Sequence, residues 1–507
     1  MNVVRAARHL AAAICILSLA GACSTLEPVD LPPEFAHAPA DGELWRELAA
    51  LRRGDWQLPL NAGIEALDWR LRAIDSATDS IDLQTFLWDL DVVGTMMLDH
   101  LVTAADRGVR VRILIDDTFL ADEDRLLLAL NRHPNIEYRI YNPFERRAGG
   151  MVTRQILNLA EFRRLDHRMH NKAMVVDGRV AIVGGRNLGD EYFGLHDNAN
   201  FRDLELLLGG PVVTDVEAEF DDYWNDRWSF PVDRLTHVEP DVVALEELRS
   251  MARKDASLHR EEAAEALRAT WRRAVAAAFG GSPTLFADDP PRDRPEAPED
   301  RPDQVADALI RLFDAAESSI VIVSAYLIPT PRLEGAIARA VQHGVDVRIL
   351  TNSIRSNNHL AAHSAYRNHI RTLMEHGADL HEVRIDAETR ARYMVSPVDE
   401  KLLALHAKTL LIDDDEVFVG SINLDPRSLR INTEMGVLVV DKALNAELRR
   451  QIEPDFSLGS AWHLQFDERG RVTWVADDRI LTSQPSASFM QRIEDWLFAH
   501  LPVEGEL

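Results

Sequence analysis

Short, almost continuous apolar runs alternate along the chain with longer stretches of helical spacing, and the alternation happens twice. "AIDSATDSIDLQTFLWDLDVVGTMMLDHLVTAADRGVRVRILIDD", from Ala73, reads as helix, apolar strand, amphipathic helix, glycine stop and buried strand. "LFDAAESSIVIVSAYLIPTPRLEGAIARAVQHGVDVRILTNS", from Leu312, repeats that order and several identities. A strand, helix, strand unit of this kind puts parallel strands in a sheet with helices against it. Gly108 and Gly344 stand 236 residues apart, and so do His170 and His406, so the chain is an internal duplication.

The second repeated pattern carries the chemistry. "RMHNKAMVVDGRVAIVGGRNLGDEYF" (168–193) and "LHAKTLLIDDDEVFVGSINLD" (405–425) each open an apolar strand with a histidine and a lysine two apart. Alternation along a strand sends both side chains to one face, where they can share a ligand. Asp177 and Gly178 supply turn chemistry, and Val180 to Val183 return as the hairpin partner. Gly184 and Gly185 then let the backbone pass close to whatever the histidine touches, and Asn187 brings an amide to the same edge. His406, Lys408, Asp413, Gly420, Ser421 and Asn423 repeat every element.

These patterns divide the 507 residues into a leader (1–22), a loose tether (23–44), a first domain (45–235), a helical connector with a Pro-rich acidic linker (236–302), a second domain (303–460) and a C-terminal hairpin and helix (461–507). The hairpin turns at Arg469-Gly470, and the last helix carries Phe489, Ile493, Trp496, Leu497 and Leu501 on one stripe expected to dock on its own core. Arg5 and Arg8 precede an apolar stretch from Leu10 to Ala22 too short to span a bilayer comfortably, which reads as a secretory signal. "LAGACS" resembles the lipobox of bacterial lipoproteins, which makes Cys23 the expected lipidation site; plain cleavage after Ala22 is the alternative. Ser24, with no acidic residue there, resembles lipoproteins sorted to the outer membrane, so the expected place is the periplasmic side of a bacterial envelope.

Cys15 and Cys23 are the only cysteines, so the mature chain has no disulfide and no thiolate metal site. The net charge of −27 argues against a nucleic-acid binder, whose affinity rests on neutralising phosphates. Between Arg139 and Arg179, however, nine basic residues stand against four acidic ones, which is either a solvated charged face or a funnel for an anionic substrate.

Lysine is a poor ligand for zinc or magnesium, and each motif offers one histidine, so no metal and no cofactor is expected at the motifs. A phosphodiester suits them. Lysines and amides would hold its non-bridging oxygens, one imidazole would attack phosphorus, and the other would protonate the leaving alkoxide and later activate the acceptor. The duplicated HxKx4D followed by GGxN or GSxN resembles the phospholipase D superfamily. "YNPFERR", "FRDLE" and "GSINLDPRSLRINTEMGV" bring it closest to the bacterial cardiolipin synthases of the C type. The resemblance implies two homologous α/β domains, each a mixed, mostly parallel sheet flanked by helices, about a pseudo-twofold axis. It implies His170 as nucleophile, His406 as general acid and base, and Lys172, Lys408, Asn187 and Asn423 around the phosphate, with Gly185 and Ser421 beside it. It also counts Asp177 and Asp413 in the catalytic motif.

Strand geometry places Asp177 roughly 20 Å from His170 and on the other face, so its carboxylate is expected to fix the hairpin turn. Glu434, and Asp203 as its counterpart, are the expected orienters of the imidazoles. The activity implied is transfer of a phosphatidyl group to phosphatidylglycerol, with phosphatidylethanolamine a second candidate donor and no partner protein identified. Hydrolysis of phospholipid, nuclease action and an inactive tethered scaffold are the alternatives.

Overall fold

The computed structural model describes residues 26–495 apart from 119–122, 148–152, 155–156, 159–160, 237, 255–262, 292–303, 358, 489 and 492–493. Cys23 and the five stripe residues of the last helix lie outside the described residues.

The first half contributes β1 (Trp56–Leu60), β2 (Ser80–Thr85), β3 (Arg110–Asp116), β4 (Ile136–Tyr141), β5 (Ala173–Val176), β6 (Val180–Gly184), β7 (Ala199–Arg202), β8 (Glu205–Gly209) and β9 (Ser229–Pro231). Eight of them form one sheet in the order β1-β8-β6-β5-β2-β3-β4-β9. The second half contributes β10 (Ser282–Ala287), β11 (Ser319–Ser324), β12 (Asp346–Asn352), β13 (Asp379–Val383), β14 (Leu402–Leu405), β15 (Lys408–Ile412), β16 (Glu416–Gly420), β17 (Met435–Val440), β18 (Ala461–Phe466), β19 (Val472–Val475) and β20 (Ile480–Leu481). Ten of these form a sheet in the order β10-β17-β16-β15-β11-β12-β13-β18-β19-β20.

The repeated units fold as their pattern predicts. β2 lies parallel to β3, and β11 to β12. The intervening helices start at capping side chains: Asp91 accepts from the Gly94 amide and Thr330 from the Leu333 amide. They stop at Gly108 and Gly344, whose φ of +97° and +89° only glycine adopts without strain.

Both sheets are mixed, but parallel pairing is confined to β2-β3-β4 and β11-β12-β13. The helix-spaced repeats mark only these strands; every other strand of the two large sheets returns through a hairpin or a longer excursion and pairs antiparallel. The domain edges shift as well. Residues 282–287, expected in the linker, are β10, paired with β17, and β18 joins the C-terminal hairpin to β13. The connector helix Ala264–Ala277 packs on the first half, where Trp271 meets Trp45 and Trp69 edge-on and donates to Ser76.

The tether is not loose over its described part. Val29 donates to the Arg227 carbonyl, Ala36 to Asp221 and Ala40 to the Asp177 carbonyl. Its few backbone donors find fixed acceptors on the first half, a bond set that composition does not reveal.

Each half buries its own helices against one sheet face. The opposite faces meet each other. Val175, Ala181, Val183 and Leu206 of the first half share a continuous core with Val321, Val323, Val419 and Val437 of the second. The two halves therefore have a common interior, and the site lies at its rim.

Candidate active site

Two short backbone pairings between the halves build the site. β7 pairs in parallel with β14, matching Arg202 to Leu405, and the His406 amide donates to the Arg202 carbonyl at 2.9 Å. Met169 pairs in parallel with Thr433, and the His170 amide donates to the Thr433 carbonyl at 2.9 Å. The next residue on each partner segment is an acid, so each imidazole meets a carboxylate from the other half. His406 Nδ1 lies 2.7 Å from Asp203 Oδ2, and His170 Nδ1 lies 2.9 and 3.0 Å from the two oxygens of Glu434. Such a contact fixes the ring and leaves Nε2 as the working nitrogen.

The lysines lie alongside. Lys172 Nζ donates to the His170 carbonyl at 2.7 Å, and Lys408 Nζ to the His406 carbonyl and against the His406 ring. All six groups are buried. Burial, with the charges of Lys172 and Lys408, holds the His170 imidazole far below its usual range; burial and Lys408 push His406 down to about 3. Burial also pulls Lys172 down to about 7 and Lys408 to about 8. Glu434 is pushed up to about 7 by burial, against the pull of Lys172. Burial acts on Asp203 too, but the His406 contact, Lys408 and Arg186 outweigh it and keep the carboxylate ionised. Lys408 acts on His170 and Lys172 on His406, so each motif lies within reach of the other's charge. An anion placed among these groups would return protons to the lysines and to one imidazole.

The asparagines complete the rim. Asn187 and Asn423 are buried, and the side-chain oxygen of each meets no hydrogen-bond donor. Two amides in the same orphaned state, related by the repeat, leave polar capacity for a ligand; an orphaned oxygen only accepts, so holding an anion needs each amide turned over to present its NH2.

The family profile described as "Cardiolipin synthase, PLD-like domain" matches residues 71–224 and 309–456, one copy in each half. The chain belongs to that family. Cardiolipin synthase C of Escherichia coli K12 is 34% identical over 466 residues, covering 88% of this chain and 95% of the relative. Cardiolipin synthase B of the same strain is 25% identical over 444 residues, covering 85% and 87%. Among solved structures, the phosphatidylserine synthase of Haemophilus influenzae Rd KW20 superposes with a TM-score of 0.55 at 16% identity, covering 83% of this chain and 92% of that one. It supports the fold.

In this member of the phospholipase D superfamily the motif aspartates do not reach the imidazoles. Asp177 sits at the far end of β5 and accepts from the amides of Thr78, Asp79 and Ser80, the Thr78 hydroxyl and the Trp45 indole at 2.7–3.1 Å. Asp413 accepts from the amides of Glu317, Ser318 and Ser319 and the Ser318 hydroxyl at 2.7–3.2 Å. Both stand at positive φ in the hairpin turn. Their carboxylates, however, tie down the loop that leads into β2 or β11, one strand further than the turn they were expected to fix. The catalytic placement of Asp177 and Asp413 is thereby corrected: the strand that carries each histidine separates it from its aspartate.

Gly185 and Ser421 lie behind the imidazoles, not at a phosphate. A Cβ on Gly185 would come within 2.6 Å of Asp203 Oδ1. Glycine there admits the carboxylate that holds His406. Ser421 instead donates its hydroxyl to Glu434 Oε2. Four arginines of the basic stretch are closed to a substrate. Arg139 pairs with Glu137, Arg147 with Asp117 and Asp124, Arg164 with Glu161, and Arg168 with Asp116, all four buried. Their charges are spent inside the protein.

The sequence reading missed the aromatic walls. Phe86 lies edge-on to His170 at 5.0 Å and under Lys172 at 5.3 Å; Tyr192 and Phe201 flank His406 at 5.0 and 5.2 Å. Phe86 follows directly on β2, and its place at that strand's carboxyl end was the signal available.

Proposed function

We propose that the chain is a phosphatidyltransferase that makes cardiolipin. The observation that carries this reading is the pair of crossed His–carboxylate contacts in one lysine-lined pocket. The donor phosphodiester would sit between the rings, its non-bridging oxygens on Lys172, Lys408, Asn187 and Asn423. His170 Nε2 attacks phosphorus as the P–O bond to the leaving alcohol breaks, and the proton on Nδ1 stays with Glu434. His406, protonated once the anion is bound, gives its Nε2 proton to the departing alkoxide. A primary hydroxyl of phosphatidylglycerol then loses its proton to His406 and attacks the phosphohistidine, and His170 is released. With phosphatidylglycerol as donor, the products are cardiolipin and glycerol; phosphatidylethanolamine would release ethanolamine.

The relatives' names support lipid chemistry, and the net charge of −27 disfavours nucleic acid. Among the described residues no helix is long and apolar enough to cross a membrane. In this reading, lipid on Cys23 holds the enzyme at the periplasmic side of the outer membrane.

The test is to incubate purified protein with labelled phosphatidylglycerol, alone and with phosphatidylethanolamine, and to resolve the lipids. Cardiolipin is expected, and it disappears in His170→Ala and in His406→Ala. Phosphatidic acid without cardiolipin would mean that water is the acceptor. Unchanged turnover in both variants would refute the site.

A further inference from the structure

Away from the pocket, three side chains on one face of the second sheet converge on a point. Asp379 and His381 stand two apart on β13, and His463 on β18 is the direct cross-strand partner of His381. Residues two apart on a strand, or opposite each other on antiparallel strands, share a face with Cβ atoms a few ångströms apart. The imidazoles stack, with centroids 4.4 Å apart and planes 5° from parallel. Both turn Nε2 toward the same carboxylate: His463 Nε2 lies 2.7 Å from Asp379 Oδ1, and His381 Nε2 lies 3.1 Å from Asp379 Oδ2.

We propose that Asp379, His381 and His463 form a binding site for a divalent transition cation of the zinc class. Two imidazole nitrogens and one carboxylate oxygen are the donors such an ion prefers over magnesium or calcium, which take oxygen ligands. The spacing fits. A tetrahedral zinc with bonds of about 2.0–2.1 Å holds neighbouring ligand atoms about 3.3 Å apart, and one ligand atom from each of the three residues lies within 4.8 Å of the other two, so small side-chain rotations bring them to that spacing. The fourth position would take water, because the side chain of Asp379 is 35% exposed and the cation enters from solvent.

The surroundings are prepared for a cation. Phe456 packs edge-on against His381 at 5.1 Å, and the Gln465 side-chain amide lies 3.0 Å from His463 Nδ1; with a metal on Nε2 the Nδ1 carries the proton, so the amide turns over and presents its oxygen as acceptor. Arg348, whose Nε lies 3.6 Å from Asp379 Oδ2, has its charge balanced by Glu453 at 2.9 Å, so this patch is anionic before an ion arrives.

The place in the fold gives the site a separate task. Lys408 pairs with Ser324 at the end of β11, whereas Asp379 pairs with Arg348, which is level with Val321 earlier on that strand. Two strands, β11 and β12, separate the strand of Lys408 from that of Asp379, three inter-strand spacings or roughly 15 Å across the sheet. An ion here would take no part in phosphoryl chemistry. It would fasten β18 and its hairpin, and with them the C-terminal segment, to the central strands of the second half.

The experiment uses the full chain, stripped with chelator and carrying His170→Ala and His406→Ala so that the catalytic imidazoles cannot compete. Titrated with Zn2+ by calorimetry, it should take up a single ion and melt at a higher temperature. Adding Asp379→Asn or His463→Gln should weaken zinc uptake by more than about 100-fold, beyond what loss of an outer-shell contact produces, and abolish the melting shift. With Co2+, the visible absorption of a tetrahedral site should appear and vanish in the same variants. Metal-free melting of each variant separates loss of a ligand from loss of fold, and the two substitutions serve as checks on each other. Equal zinc uptake with and without Asp379 and His463, or no uptake by the parent chain, overturns the proposal.

Discussion

The two halves descend from one pattern, yet they hold their motif histidines differently. Asp203, supplied by the first half to His406, has the shorter side chain, and Gly185 gives it room to press against the backbone. Glu434, supplied by the second half to His170, is longer and receives the Ser421 hydroxyl. The first half also provides all the aromatic rings noted around the two imidazoles, Phe86 at His170 and Tyr192 and Phe201 at His406. Duplication gave two similar sites, and divergence behind the rings has made them unequal. Burial leaves Glu434 near pH 7, while Asp203 stays ionised. A carboxylate that stays charged best supports an imidazolium, which suits His406 to acid and base work.

The largest expected effect breaks the two contacts one at a time. Asp203→Asn and Glu434→Gln keep shape and remove charge, and each should lower kcat by up to about 10,000-fold, the loss seen when the acid of a catalytic triad is neutralised. They should differ in what accumulates. Asp203→Asn impairs the base needed for the second step, so phosphatidylated His170 should build up and be caught by acid quench and mass spectrometry; Glu434→Gln should leave none. Equal accumulation in both would remove the assigned polarity.

A smaller effect separates the motif aspartates from the chemistry. Asp177→Asn should destabilise the chain by about 2–3 kcal/mol, since it strips charge from a buried acceptor of amide, hydroxyl and indole donors. Asp413→Asn, in a more exposed turn, should cost about 1 kcal/mol. Denaturant melts read both. kcat of the folded fraction should hold within about threefold in each, a margin of about 0.65 kcal/mol in activation free energy. A larger fall in kcat at unchanged stability would return these residues to the reaction.

The mildest test is pH. In the empty pocket Lys172 loses its proton near 7 and Lys408 near 8. A bound phosphodiester raises both, so binding takes up protons and weakens as pH rises through 7 to 8. Calorimetry of a short-chain phosphatidylglycerol in two buffers of different ionisation enthalpy should show proton uptake at pH 7.5 and about tenfold weaker binding at pH 9, the loss of roughly one charge interaction.

The repeat, the two strand-opening motifs and both orienting acids were legible because spacing along one chain encodes them. Three things were not. The crossing of Asp203 and Glu434 to the opposite histidines depends on pairings between β7 and β14, and between Met169 and Thr433, which join segments about two hundred residues or more apart. The fate of Arg147 and Arg164 depended on which acids would be buried beside them. β10 was hidden because Ser282–Ala287 sits beside a Pro-rich acidic run that outweighs six residues of strand in any window.

The strap formed by residues 26–41 also has a mechanical meaning. Leu26 donates its amide to Glu161, next to the short helix Phe162–Asp166 that leads into the strand carrying His170. Three residues of chain reach at most about 11 Å, so an acyl group on Cys23 would be leashed to that corner of the molecule and not left to roam at the end of a long cord. Such an enzyme would stand on the bilayer in one fixed stance, and lengthening the cord by insertion after Leu26 would not free it, because the grip begins there.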